Sequence, residues 1–140
     1  MRLDGWESRL MAVIDAAQRA PYVLGENDCS RLACTVVETL TGVDHWPRIA
    51  GPRGYKTKRQ ALARIAKIAP SLGEAVGAVL GVSPTPTLSA QRGDIVLFRD
   101  ERGEDHLGIC IGREVALMGA DGTITAEIDD ARLMCSWRVG

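Results

Sequence analysis

The sequence predicts an α+β fold, helices first and an antiparallel meander second, and three observations carry that prediction. Apolar residues recur at three- and four-residue intervals through the first half of the chain. After the proline-rich stretch Ser83-Pro84-Thr85-Pro86-Thr87 the period shortens to two, in short runs punctuated by Gly103, Gly112 and Gly119. Helical and strand-like runs are segregated rather than alternating, which argues against βαβ units. The 140 residues fit one domain, 1–140. With 46% hydrophobic and 25% charged residues, a disordered or fibrous chain is excluded.

The elements follow in order. Trp6, Leu10, Val13, Ile14 and Ala17 form one helical stripe, with Asp4 and Glu7 as its capping pair and Pro21 as its stop. Asn27 and Asp28 can cap a second helix, whose apolar face is Leu32, Val36, Val37 and Leu40 and whose end is Gly42. Thr41 to Tyr55 reads as a loop rich in glycine and proline. Thr57 and Gln60 form a capping box that opens a basic helix, with Leu62, Ile65 and Ile68 turned inward and Pro70 just beyond. A shorter helix is expected over 72–80. The strand candidates are Asp94–Phe98, His106–Ile111, Val115–Met118, Thr123–Thr125 and Cys135–Val139. Trp6 and Trp137 read as core or interface fillers, and Trp46 as an exposed loop residue.

Charge divides the chain unevenly around a net value of −1. No acid lies between Asp44 and Glu74, where Arg48, Arg53, Lys56, Lys58, Arg59, Arg64 and Lys67 gather. This basic segment, 48–67, is either a solvated helix face or a docking surface for an anionic polymer or an acidic protein. Nucleic-acid binding would want interleaved aromatics, and only Tyr55 is available, so no such partner is predicted. No apolar run reaches the roughly 20 residues of a membrane span. Met1 to Glu7 carries acids and lacks the apolar core of a secretory signal. The four cysteines, Cys29, Cys34, Cys110 and Cys135, contain no Cys-x-x-Cys pair, and Cys29 and Cys34 do not share a helix face. Free thiols are expected, with no disulfide framework, no metal site and no cofactor.

Two residues carry possible chemistry. Cys29 falls in the first turn of the second helix, where unpaired amides and the helix dipole favour a thiolate and could stabilise an oxyanion. The alternative is a buried cysteine acting as a small hydrophobe. His106 opens a strand after a polar turn, on the same face as Gly108 and Cys110, and the glycine would leave room beside the imidazole. The alternative is a packed structural histidine.

Taken together, Pro21-Tyr22-Val23-Leu24-Gly25, Asp28-Cys29-Ser30, Arg92-Gly93-Asp94-Ile95-Val96-Leu97-Phe98 and His106-Leu107-Gly108-Ile109-Cys110-Ile111-Gly112 resemble, in order, the NlpC/P60 pattern. The likeness runs from about residue 20 to about residue 120. It implies a small papain-like domain, its N-terminal helices packed on the C-terminal sheet, that hydrolyses peptide bonds in bacterial cell-wall stem peptides. By position, Cys29 would be the nucleophile, His106 the base and Tyr22 the residue that helps orient the substrate carbonyl. Asp28 and Ser30 would flank the helix start without acid–base work. Such proteins include secreted wall enzymes and components of tailed-phage tails. Without a secretory signal this chain is expected in the second setting, made in the host cytoplasm and carried in the virion tail, where segment 48–67 would meet tail or baseplate proteins.

Two positions depart from the pattern. Arg31 stands where a glycine follows Asp-Cys-Ser, and the third polar residue, which orients the imidazole, would fall near Met118. A methionine cannot accept the second imidazole proton to any effect. Asp121 lies nearby but in a turn, and Asp105 should face away from His106. Two readings stay open: a cysteine hydrolase that cuts peptidoglycan during wall penetration, and a weak or inactive domain of the same type that assembles a tail tip or baseplate.

Overall fold

Side-chain caps set where three of the helices begin. Asp28 accepts the amide of Arg31, Thr57 that of Gln60 and Ser71 that of Glu74, so each helix opens on the next residue. The computed structural model describes residues 1–119 and 122–140. Its helices are α1 (Trp6–Arg19), α2 (Cys29–Thr41), α3 (Trp46–Ala50), α4 (Lys58–Ala66) and α5 (Leu72–Leu80). A turn of 3₁₀ helix, Thr87–Ser89, leads into the strands β1 (Ile95–Arg99), β2 (Asp105–Cys110), β3 (Glu114–Gly119), β4 (Gly122–Glu127) and β5 (Leu133–Trp137). The fold is α+β, as the segregation of the two periodicities predicts.

Three local expectations are corrected. Asp4 and Glu7 do not cap α1; the chain enters it through Gly5 in the left-handed region, and no side chain caps it. The 41–55 segment is not all loop, because Pro47, with φ preset for a helix, starts the short α3, which buries Ile49 and Ala50 before Gly51 ends it. Nor does α4 bury an inward face: none of its residues is buried, and Leu62 is 60% exposed.

The sheet is antiparallel in the order β4-β3-β2-β1-β5. Four strands form the meander, and β5 returns to pair with the free edge of β1. Alternation sends Ile95, Leu97, Leu107, Ile109 and Trp137 toward α1 and α2, where they join Leu10, Ile14, Leu32, Val36 and Leu40 in the main core. The intervening residues Val96, Cys110, Val115, Leu117, Ala126 and Leu133 make a second cluster on the opposite face. Burying both faces fixes the register firmly, since a one-residue slip would exchange the two sets. The proline-rich stretch Ser83–Thr87 also joins the sheet: Thr85 bridges Ser136 on β5, extending the edge. Among the described residues, no helix is long and apolar enough to cross a membrane.

Candidate functional site

Cys29 is the first residue of α2 and is half-buried, its side chain packed on the main core. Loss of water pushes its thiol pKa up. The Asp28 carboxylate pushes the same way, while the Leu107 amide and the hydroxyl and amide of Ser30 pull toward the thiolate. The resting sulfur is therefore a protonated thiol that needs a base. Contact with Leu107 matters for position. The β2–β3 ladder pairs Gly108 to Cys110 with Leu117 to Val115 and stops there, so Leu107 lies just past its end, where the start of α2 abuts.

Around the sulfur the chain before α2 is fastened by one carboxylate. Asp28 is 2% exposed. Its Oδ1 accepts the Arg31 amide at 2.8 Å, and its Oδ2 accepts the Gly25 amide at 2.8 Å and the Tyr55 hydroxyl at 2.5 Å. Gly25 has φ +82°, and a Cβ there would run into the Tyr55 carbonyl oxygen, so this crossing of two loops requires glycine. Tyr22, from the same lead-in, stays 41% exposed. Its phenol pKa is raised by burial first, then by the charges of Cys29 and Asp28.

His106 stands one residue before Leu107. Its ring lies on the sheet face of Phe98, with ring centroids 6.0 Å apart, and its Nε2 is 2.9 Å from Asp100 Oδ2. Asp100 is held by its own turn: Oδ1 accepts the amides of Arg102 and Glu104, both at 2.9 Å. The His106 hydrogen bond, then the Glu104 amide, holds the Asp100 carboxyl below its usual pKa. Cys29 and His106 thus reach neighbouring residues of β2, the sulfur at the Leu107 amide and the imidazole on the preceding residue, but alternation turns that ring to Asp100 on the face of Phe98, away from the core face on which Cys29 packs.

Asp100 is the residue sequence reasoning misses. The resemblance puts the imidazole's polar partner near Met118, whose side chain packs against the main core instead. Asp121 lies outside the described residues, and Asp105 does face away, pairing with Arg99 at 2.7 Å. The signal for Asp100 was in the register: Phe98 opposes His106, so a residue two positions beyond Phe98 can turn back toward the ring. Gly108 serves the sheet and not the imidazole. A Cβ there would lie 2.6 Å from both Val115 and Leu117, so the glycine admits the neighbouring strand rather than opening room for the imidazole.

The remaining candidates have structural duties. All four cysteines are free; Cys34 is buried and its thiol is pushed up to about 12, too high to react near neutrality. Trp46 is half-buried, not exposed: it packs 5.9 Å from the Tyr55 ring and under the Arg31 guanidinium at 5.0 Å. That stacking is what a bulky cation at position 31 does here. In the basic segment Arg64 donates to the carbonyls of Ile49 and Arg48, and Lys58 pairs with Glu104 at 2.6 Å. Asp100, Glu104 and His106 bring donor atoms within 4.8 Å of one another and could hold a metal, but the Lys58 ammonium on Glu104 opposes a cation there.

In comparisons with known proteins, a family model described as Domain of unknown function (DUF6950) matches residues 1–139. No curated protein matches the chain.

Proposed function

The chain belongs to the DUF6950 family, and we propose that it is a cysteine hydrolase of the NlpC/P60 type that cleaves peptide bonds in bacterial peptidoglycan. One observation carries the reading: the thiol at the start of α2 lies at the Leu107 amide, one residue along β2 from a histidine whose Nε2 is bound to an anchored carboxylate. A Cys–His pair with a third group is how a weak nucleophile is activated, the third group fixing the ring for the proton transfer. With Nε2 on Asp100, Nδ1 is the nitrogen without a partner among the described residues, and the proposal requires the ring to turn from the Phe98 face so that Nδ1 meets Cys29.

In the reaction, Nδ1 of His106 takes the Cys29 proton as the sulfur attacks the amide carbonyl. The same nitrogen returns that proton to the leaving amine, and an acyl thioester remains on Cys29. Water, deprotonated by His106, then attacks the thioester carbonyl and releases the acid and the thiol. The Cys29 amide at the α2 N-terminus would face the developing oxyanion, and Tyr22 would border the substrate side. A phage-tail setting is part of the proposal, since a protein that opens the wall during entry would act from the virion.

Purified protein should release stem-peptide fragments from bacterial sacculi, read by chromatography of the soluble products. Cys29→Ala should abolish release, and Asp100→Ala should slow it by about 10²-fold or more through loss of ring orientation. Release by Cys29→Ala at the wild-type rate overturns the proposal. A second reading is favoured by the bare outer side of α4, where Arg59 and Lys67 are exposed and no residue is buried. A non-catalytic assembly module would present such a face, and under that reading Cys29→Ala phage would infect normally.

A further inference from the structure

We infer that Tyr55 is a positioning residue for Cys29, acting through its hydrogen bond to Asp28. The inference rests on Cys29 being the reactive group, and it names a residue outside every motif that pointed to the site. Three observations carry it. Tyr55 is 6% exposed, and its hydroxyl donates to Asp28 Oδ2 at 2.5 Å across the loop that precedes α4. Asp28 immediately precedes Cys29 and uses its other oxygen to cap the helix on which Cys29 sits. Finally, the Tyr55 ring is itself braced by Trp46, which lies under Arg31 of the same first helical turn. The loop 51–57 is thereby tied back to both ends of that turn.

The physical effect is on charge as well as geometry. A buried carboxylate next to a sulfur disfavours the thiolate, and a donor on that carboxylate draws its charge away from the sulfur. Facing Cys29 are Asp28 and Ser30 from α2, Tyr22 from the lead-in, Tyr55 from the loop and the Leu107 amide of β2, with His106 one residue earlier. Among these donors Tyr55 is the one that reaches Cys29 through Asp28. Burial and the bond to Asp28 hold the phenol itself far above its ordinary pKa, so it stays a donor at every pH that the folded protein meets.

The test is the pH dependence of Cys29 alkylation by iodoacetamide, followed by peptide mass, in wild type, Tyr55→Phe and Asp28→Asn. This readout does not require hydrolysis, so it stands or falls separately from the peptidase reading. The phenylalanine keeps the ring packing and removes only the donor. Tyr55→Phe should move the alkylation midpoint to higher pH, with about a threefold or greater loss of rate below the midpoint, while buried Cys34 and Cys110 stay unreactive. Asp28→Asn, which removes the charge, should move the midpoint the other way. A Tyr55→Phe profile superimposable on wild type, with Cys34 still protected, overturns the inference. If Tyr55→Phe exposes Cys34 and Cys110, Asp28→Asn decides: a midpoint that stays or rises overturns it. Unfolding of both variants would assign the pair to stability alone and overturn it as well.

Discussion

Helices α2 and α4 open on the same device, a side chain accepting the amide of the third helical residue, yet they end in opposite surroundings. Asp28 starts a helix that buries Leu32, Ala33, Cys34, Val36, Val37 and Leu40, and Thr57 starts one that buries nothing. The Thr57 cap is even the fuller one, a complete capping box with Gln60. A cap is decided by four or five neighbouring residues, whereas burial is decided by what the rest of the chain brings up. α2 lies between α1 and β2, so each apolar residue on two of its sides finds a partner. α4 leans on α3, which is only five residues long and covers little of it. The chemistry follows the same division. In the proposed reading, a thiol that must keep its geometry is mounted on the buried helix, and the exposed Arg59 sits on the bare one.

The sharpest way to break this comparison is to shorten an apolar side chain on the buried helix. Leu40 has no exposed surface and packs in the main core. Leu40→Ala should cost about 2–5 kcal/mol, the transfer and cavity terms together, read as a lower urea midpoint with an unchanged slope. A loss under about 1 kcal/mol would mean that the core around α2 collapses to fill the gap.

Next in size is the contrast between the caps themselves. Asp28→Ala removes a cap and leaves a buried Tyr55 hydroxyl and the Gly25 amide without their acceptor. Thr57→Ala removes a cap that water can replace. The first should cost about 2–4 kcal/mol and the second about 1 kcal/mol. Equal losses in chemical denaturation would show that the Asp28 network contributes nothing beyond capping.

The contrast also explains which parts of the molecule were legible in the sequence. The bounds of α5, the cap and glycine end of α2 and the succession of strands along the chain follow from local signals and the change of period, whereas the return of β5 to β1 does not. Leu62 did not follow, because the spacing Leu62, Ile65, Ile68 states which residues share a side of a helix and not whether anything lies against that side. Cys29 was legible because a cysteine after Asn-Asp at a helix start is a local pattern. Asp100 was not, since its approach to His106 depends on the pairing of two strands and on a turn that folds back. Tyr55 was hidden for another reason. A lone aromatic in a loop belongs to no period, and its partner Asp28 had already been accounted for as a cap.

The smallest predicted effect is the most direct check on α4. Leu62 is a large apolar side chain, 60% exposed on a helix without a buried residue. Were that side covered in the folded monomer, Leu62→Gln would strand a polar amide against apolar neighbours and cost 1 kcal/mol or more, roughly as other buried polar substitutions do. With the side bare, glutamine has nearly the helix propensity of leucine and is solvated, so the urea midpoint should shift by no more than about 0.5 kcal/mol in stability. The pairing of the result with Leu40→Ala is what gives it force. Two leucines on similarly capped helices should differ severalfold in cost, and a Leu62→Gln variant as damaged as Leu40→Ala would require α4 to be packed in solution against a surface that the isolated chain leaves open.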